Sequence, residues 1–226
     1  MGHLITSIPV QPDAAGGLLD KFVAVPAATR SGGVPAVGWA RVAMALQTLQ
    51  GLPDAVLLVD LADGGLIVVD WGRKDYWWQR APQAFPVRPT ISKIRVYREE
   101  GARLPFMLEQ PAELSSLLWP VGIHAFPQAP AWWLAEGVSY QLARWPDFTV
   151  LAHATEHVSM TALLARRAYS ADELAVAADV DPAMAQSFIN ALSLMGLLRE
   201  TASAPAAVVE VQAPGLFARL RARLGV

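Results

Sequence analysis

Apolar residues recur at spacings of three and four from residue 36. Trp39, Val42, Leu46 and Leu49 form one stripe, with Arg41 and Thr48 away from it, and Gly51 and Pro53 follow. That period predicts an amphipathic helix closed by its glycine and proline. The pattern then changes to two apolar, β-branched runs over residues 56–71, divided by Asp63-Gly64, which predicts a hairpin turned by residues tolerant of positive φ. From Ile91 an alternation puts Ile94 and Val96 on one face of a strand and Lys93, Arg95 and Tyr97 on the other. Glu99-Glu100-Gly101 is a turn leading to residues 104–108, a second hairpin. Residues 111–119 read as a short helix stopped by Pro120. Residues 121–126 and 138–142 read as short strands on either side of a loop rich in proline and tryptophan. Before all of this, prolines and glycines interrupt any period up to Pro35, which suggests an extended arm on the body.

After Trp145-Pro146-Asp147-Phe148, a natural joint, the grammar is helical. Residues 158–167 form one helix. Ser170 followed by Glu173 is a capping box, each side chain satisfying a free backbone N–H of the other, and it starts a second helix bearing Leu174, Ala175 and Ala178 on one face. Asp181 can cap a third, because Pro182 at its first position gives up an N–H that had no partner. Met184, Phe188, Ala191, Leu192 and Met195 make its buried stripe, and Gly196 ends it. Residues 197–201 and 207–212 are a strand pair turned by Ser203-Ala204-Pro205. The tail carries Leu216, Phe217, Leu220 and Leu224 flanked by Arg219, Arg221 and Arg223, an amphipathic segment too short to be a stable helix unless docked.

Three helices followed by a strand pair, with this capping, resemble the winged helix-turn-helix superfamily over residues 146–212. With the elements read before and after it, the expectation is an α+β chain: an N-terminal mixed domain of helix and β-hairpins with its arm (1–145), a C-terminal winged helix, which the resemblance implies (146–212), and a basic amphipathic tail (213–226). The helix and hairpin that begin at Ala36 are also similar to roadblock-type regulators of small GTPases, without a specific motif.

Composition bears on function mainly by exclusion. At 54% hydrophobic and 17% charged residues, the 226-residue chain has ample material for a core. It has no cysteine, so disulfides, thiolate metal sites and cysteine nucleophiles are out. Residues 55–71, the most apolar stretch, are broken by Asp60, Asp63 and Asp70, so no membrane span is expected. The first residues lack the features of a signal peptide, and a cytoplasmic location is the expectation. The net charge of −2 hides an uneven distribution. Residues 73–103 hold eight basic against three acidic side chains, and residues 145–200 three basic against seven acidic.

That asymmetry decides how the winged-helix resemblance is read. DNA-reading members insert the third helix into the major groove with cationic and amide side chains. Here that helix has Gln186, Ser187, Asn190 and Ser193 but no Lys or Arg, and Asp179 and Asp181 precede it. Phosphate neutralisation supplies most nonspecific affinity, so DNA is disfavoured and a protein partner preferred. The contact candidates are Gln186 and Asn190, with Arg219, Arg221 and Arg223 of the tail.

Three further patterns bear on chemistry. Arg73, Lys74, Trp77, Trp78, Arg95 and Arg98 are candidates for an anion or nucleotide site, guanidinium groups on phosphate and indoles on bases, weighed against a plain sheet cover with a solvated basic rim. The RxxxR and D/NxSxxG motifs of cyclic-dinucleotide receptors are absent. His153-Ala154-Thr155-Glu156-His157 matches the HxxEH string of inverted zinc peptidases, but the only downstream acid at a comparable remove is Glu210, inside the predicted wing, and an exposed polar linker helix is the expectation. Neither GxxxxGK[ST] nor GxGxxG occurs, Ser139 lacks the second glycine of a nucleophile elbow, and whether Asp60 and Asp70 share a strand face depends on the turn. No catalytic residues, metal or cofactor are assigned. The sequence thus predicts a non-enzymatic bacterial adaptor or regulatory scaffold, in a signalling or motility setting. The alternative is a DNA-binding transcriptional regulator with a ligand- or nucleotide-sensing N-terminal domain.

Overall fold

The computed structural model describes residues 38–52, 55–80, 84–98, 110–135 and 137–201. The amino-terminal arm, residues 104–108, residues 207–212 and the tail with Arg219, Arg221 and Arg223 lie outside the described residues. The chain is mixed α+β with antiparallel sheets, and among the described residues it has five helices.

Helix α1 (Trp39–Leu49) buries Trp39, Val42, Leu46 and Leu49, while Arg41 and Thr48 are exposed. The hairpin follows as β1 (Ala55–Leu61) and β2 (Leu66–Asp70). Of its turn residues only Gly64 has positive φ, at 83°. Asp63 does not, and its Oδ1 instead accepts the Gly65 N–H at 3.1 Å, so the turn is an Asx-stabilised four-residue link rather than a type I′ turn. Strand β3 (Asp75–Trp78) and the two-residue β5 (Ala112–Glu113) extend the sheet beyond β2, and β4 (Ile91–Arg98) pairs with β1 on the other edge. The order is β4-β1-β2-β3-β5.

One face of this sheet joins α1 and helix α2 (Ser115–Ala125) in a core that includes Leu57, Val59, Ile67, Val69, Tyr76, Leu117 and Val121. Helix α2 departs from expectation at both ends. Residues 112–113 form β5 rather than helix, and the helix runs through Pro120 into the stretch read as a strand. An interior proline costs about 3 kcal/mol. Here that cost is offset because Leu117, Leu118 and Val121 are buried in the first core and Trp119, also buried, in the second, donating its indole N–H to Ala152 O at 2.7 Å.

The second core is built by β6 (Ser139–Leu142), α3 (Thr155–Arg166), α4 (Ala171–Ala178), α5 (Pro182–Leu194) and β7 (Leu198–Thr201). The signals read around α4 and α5 appear as hydrogen bonds. Ser170 N–H reaches Glu173 Oε2 at 2.8 Å, Glu173 N–H reaches Ser170 Oγ at 3.2 Å, and Ala183 N–H reaches Asp181 Oδ1 at 2.7 Å. Gly196 has φ 68°. Strand β7 pairs with β6, and Tyr140 of β6 also exchanges backbone hydrogen bonds with Tyr169, between α3 and α4. The two cores are continuous: α2 packs on α5, and Leu194 at the end of α5 belongs to the first core. No helix of the described residues is long and apolar enough to cross a membrane.

Candidate functional site

Most of helix α5 is enclosed. From Ala185 to Leu194 all but Gln186 and Ser193 are buried. Its polar stripe, the positions a DNA reader would present, is occupied by the loop over residues 126–133. Asn190 is fully buried: its Nδ2 donates to Phe126 O at 3.2 Å and Ala129 O at 3.0 Å, and its Oδ1 accepts Ala131 N–H at 3.0 Å and Gln186 Nε2 at 3.0 Å. Ser187 donates to Pro127 O at 3.4 Å, and Trp133 Nε1 to Ser193 Oγ at 2.9 Å. Asn190 is therefore a structural clamp rather than a surface contact. The spacing that groups these side chains on one face is correct, but their partner is the chain itself. Gln186 is half-buried, its amide turned to Asn190.

The acidic side chains cluster beside this helix instead. Asp172 and Val176, four residues apart, share one exposed face of α4, and Asp179 at its left-handed C-cap, Asp181 at the cap of α5 and Met184 in its first turn are exposed as well. Val176 is 85% exposed and Met184 38%. Exposed apolar groups among carboxylates give this surface the character of an interaction patch.

Of the six residues grouped as a ligand site, the five whose side chains are described divide between the two sides of the sheet. Trp77 is buried on the face of the sheet opposite α1, with Val56, Leu58 and Val68, whereas Trp78 packs on the α1 side. Strand alternation separates neighbours in sequence in this way. The Arg95 guanidinium lies 2.8 and 2.9 Å from the Asp60 carboxylate oxygens, and Arg73 lies 3.4 Å from Asp75 and 5.9 Å from the Trp77 ring centroid. Lys74, with left-handed backbone at φ 61°, stacks its ammonium 4.0 Å from the Trp71 ring centroid, and burial lowers its pKa from the ordinary lysine value. The side chain of Arg98 lies outside the described residues. The sequence reading missed β3 itself, which the alternation of Tyr76, Trp77 and Trp78 about the sheet could have signalled. Asp60 and Asp70 do share a face, since Asp70 opposes Val56, but four residues of strand, roughly 13 Å, separate them. They are no carboxylate pair.

The HxxEH string is split by the start of α3. His153 precedes the helix and donates through Nδ1–H to Leu151 O at 2.8 Å, its ring against Phe148. His157 lies inside the helix, half-buried rather than on an exposed linker, stacked on Phe188 at 5.5 Å and edge-on to Trp119. Its Nδ1 accepts the Ala154 N–H at 3.1 Å, so only the neutral ring completes the cap. Among the described residues no group of three or more His, Asp or Glu is arranged to hold a metal.

Burial lowers the pKa of His157, reinforced by nearby His153 and opposed by Glu156, and burial alone lowers that of His124. For a depressed histidine the unfolded chain binds the proton first. Stability is therefore full above the ordinary value of 6.5 and is lost as pH falls through it toward the folded value. The urea midpoint should fall between about pH 7 and 5, and His157→Gln should flatten that slope. An unchanged slope in the variant would assign the effect to His124. Asp63 and Asp147, held below 3.8 by hydrogen bonds from Arg80 and Thr149, contribute in the same direction only at lower pH.

Comparison of the chain with protein-family models, with curated proteins and with solved structures yields no match in any of the three.

Proposed function

We propose that the protein is a non-enzymatic adaptor or regulatory scaffold whose C-terminal part is a winged-helix module used to dock a protein partner. The succession α3, the Tyr169 bridge, α4, α5 and β7 supports the module assignment, with β6 as the strand between Tyr169 and β7. The observation that carries the docking role is the covering of α5. The polar stripe that would have to enter a groove is engaged by residues 126–133, and neither α4 nor α5 has a Lys or Arg. A phosphate backbone gains nothing from such a surface. The exposed carboxylate and valine face of α4 instead suits a basic partner surface with an apolar centre.

Reversing that face tests the reading. Asp172→Lys with Val176→Lys changes only exposed groups, and reversing a first-turn charge of α4 should cost about 1 kcal/mol, too little to unfold the protein. A partner isolated from the native host with the wild-type chain should be lost from the variant. Retention of every partner would remove this face from the proposal, and tight duplex DNA binding in a mobility shift at low salt would overturn the docking role altogether.

A further inference from the structure

A cleft of about 480 Å³ opens where the β2–β3 turn and the start of α2 meet the end of α5. Leu118, Leu194 and Leu197 make much of its wall apolar, and Lys74 and Arg144 line it from opposite parts of the chain. These two cations differ from three arginines near the sheet. Arg73, Arg80 and Arg95 each have a carboxylate within 4 Å, namely Asp75, Asp63 and Asp60. Lys74 and Arg144 have none among the described residues.

The acid that also lines the cleft, Glu113, is not their partner: its Oε1 accepts the Ser115 hydroxyl at 2.8 Å, while Lys74 is held on Trp71. The cleft therefore keeps an excess of one positive charge beside an apolar wall. Lys74 is also held there against its backbone preference. At φ 61° a glycine would be unstrained, and the carbonyl of Lys74 is fixed by the Leu114 N–H at 2.8 Å. What a lysine adds at this position is its ammonium, partly desolvated and free of any acid.

We propose that this cleft binds a small organic anion, a phosphate or carboxylate on a compact apolar body, with Lys74 and Arg144 holding the charged group and the leucine wall the body. A partly desolvated cation with no carboxylate partner, as Lys74 is, gains more from an anion than a solvated one does, and with the exposed Arg144 and the apolar wall beside it the cleft selects for a ligand that carries both features.

Phenyl phosphate is the probe, titrated into the full chain and followed through backbone amide shifts. Saturable shifts should appear at Lys74, Gly196 and Leu197. Benzyl alcohol, which lacks the charge, and inorganic phosphate, which lacks the body, should each bind more weakly. Lys74→Gly removes the cation and relieves the strained backbone, so it should fold at least as well as wild type. It and Arg144→Gln should each weaken phenyl phosphate about fivefold, the effect of a single exposed or half-exposed charge contact. The proposal is overturned by any of three results: no saturable shift at those amides up to about 10 mM, unchanged affinity in both variants, or benzyl alcohol or inorganic phosphate binding as tightly as phenyl phosphate.

Discussion

The Gly122→Ala protein should unfold at a lower urea concentration than wild type, having lost about 2–3 kcal/mol, the upper range for overpacking a core. The sign is the informative part. In a helix interior alanine is normally preferred over glycine by about 0.5–1 kcal/mol, so at an open position the same change would stabilise. At Gly122 a Cβ would stand 2.4 Å from the Cα of Ala191 and 2.9 Å from its Cβ. The obstacle is the backbone of α5, which no rotamer change can move aside. Helices α2 and α5 must separate, and since α2 contributes Leu117 and Val121 to one core and Trp119 to the other, both cores loosen together. Gly51→Ala supplies the control, because nothing lies within 4 Å of a Cβ there and its φ is not positive. Equal behaviour of the two variants in urea, followed by tryptophan fluorescence, would mean that the helix contact is not as close as described.

The same helix shows what a sequence conveys about a fold and what it withholds. Capping at Ser170, Glu173, Asp181 and Pro182 was legible because the donors and acceptors lie within three residues of each other, so local chemistry decides. The stripes of α1 and β4 were legible for a similar reason, the period being fixed by backbone geometry. Pro120 misled because its penalty is local while the burial that offsets it comes from α1, α5 and the sheet. Strand β3 was hidden by its charged neighbours, and β5 has only two residues, too few to show any period.

The candidate sites followed the same division. Grouping Gln186, Ser187, Asn190 and Ser193 on one face of a helix was sound, yet the residues that cover them come from about 60 positions away in sequence. Grouping Lys74 with Arg73, Trp77 and Arg95 by proximity in sequence joined side chains that the sheet divides between its two faces, while Arg144 became the neighbour of Lys74 only through the fold. Electrostatic balance along the chain was more robust. The acidic surplus of residues 145–200 appears as an exposed face on α4, since charge stays at the surface wherever the chain turns.

Asn190→Leu should cost about 3–4 kcal/mol, because it removes the partner of several enclosed polar groups at once and each left unsatisfied costs about 1–3 kcal/mol, with part recovered as the loop relaxes toward water. The groups are Phe126 O, Ala129 O, Ala131 N–H and the Gln186 amide. Leucine is larger than asparagine, so a cavity does not explain the loss, and overpacking adds to it. Asn190→Asp separates the hydrogen-bond account from a packing account. The carboxylate can still accept Ala131 N–H and Gln186 Nε2, but when ionised it sets a negative charge against the Phe126 and Ala129 carbonyl oxygens. Only the protonated acid can donate to one of them. Its folded pKa is therefore raised above the unfolded carboxyl value, the folded state binds the extra proton, and the variant loses stability relative to wild type as pH rises from about 4 to 7. Urea midpoints of the two proteins should thus lie closer at pH 4 than at pH 7. A gap independent of pH would mean that Asn190 does not donate to those carbonyls, and the α5 stripe would again be open to an outside partner.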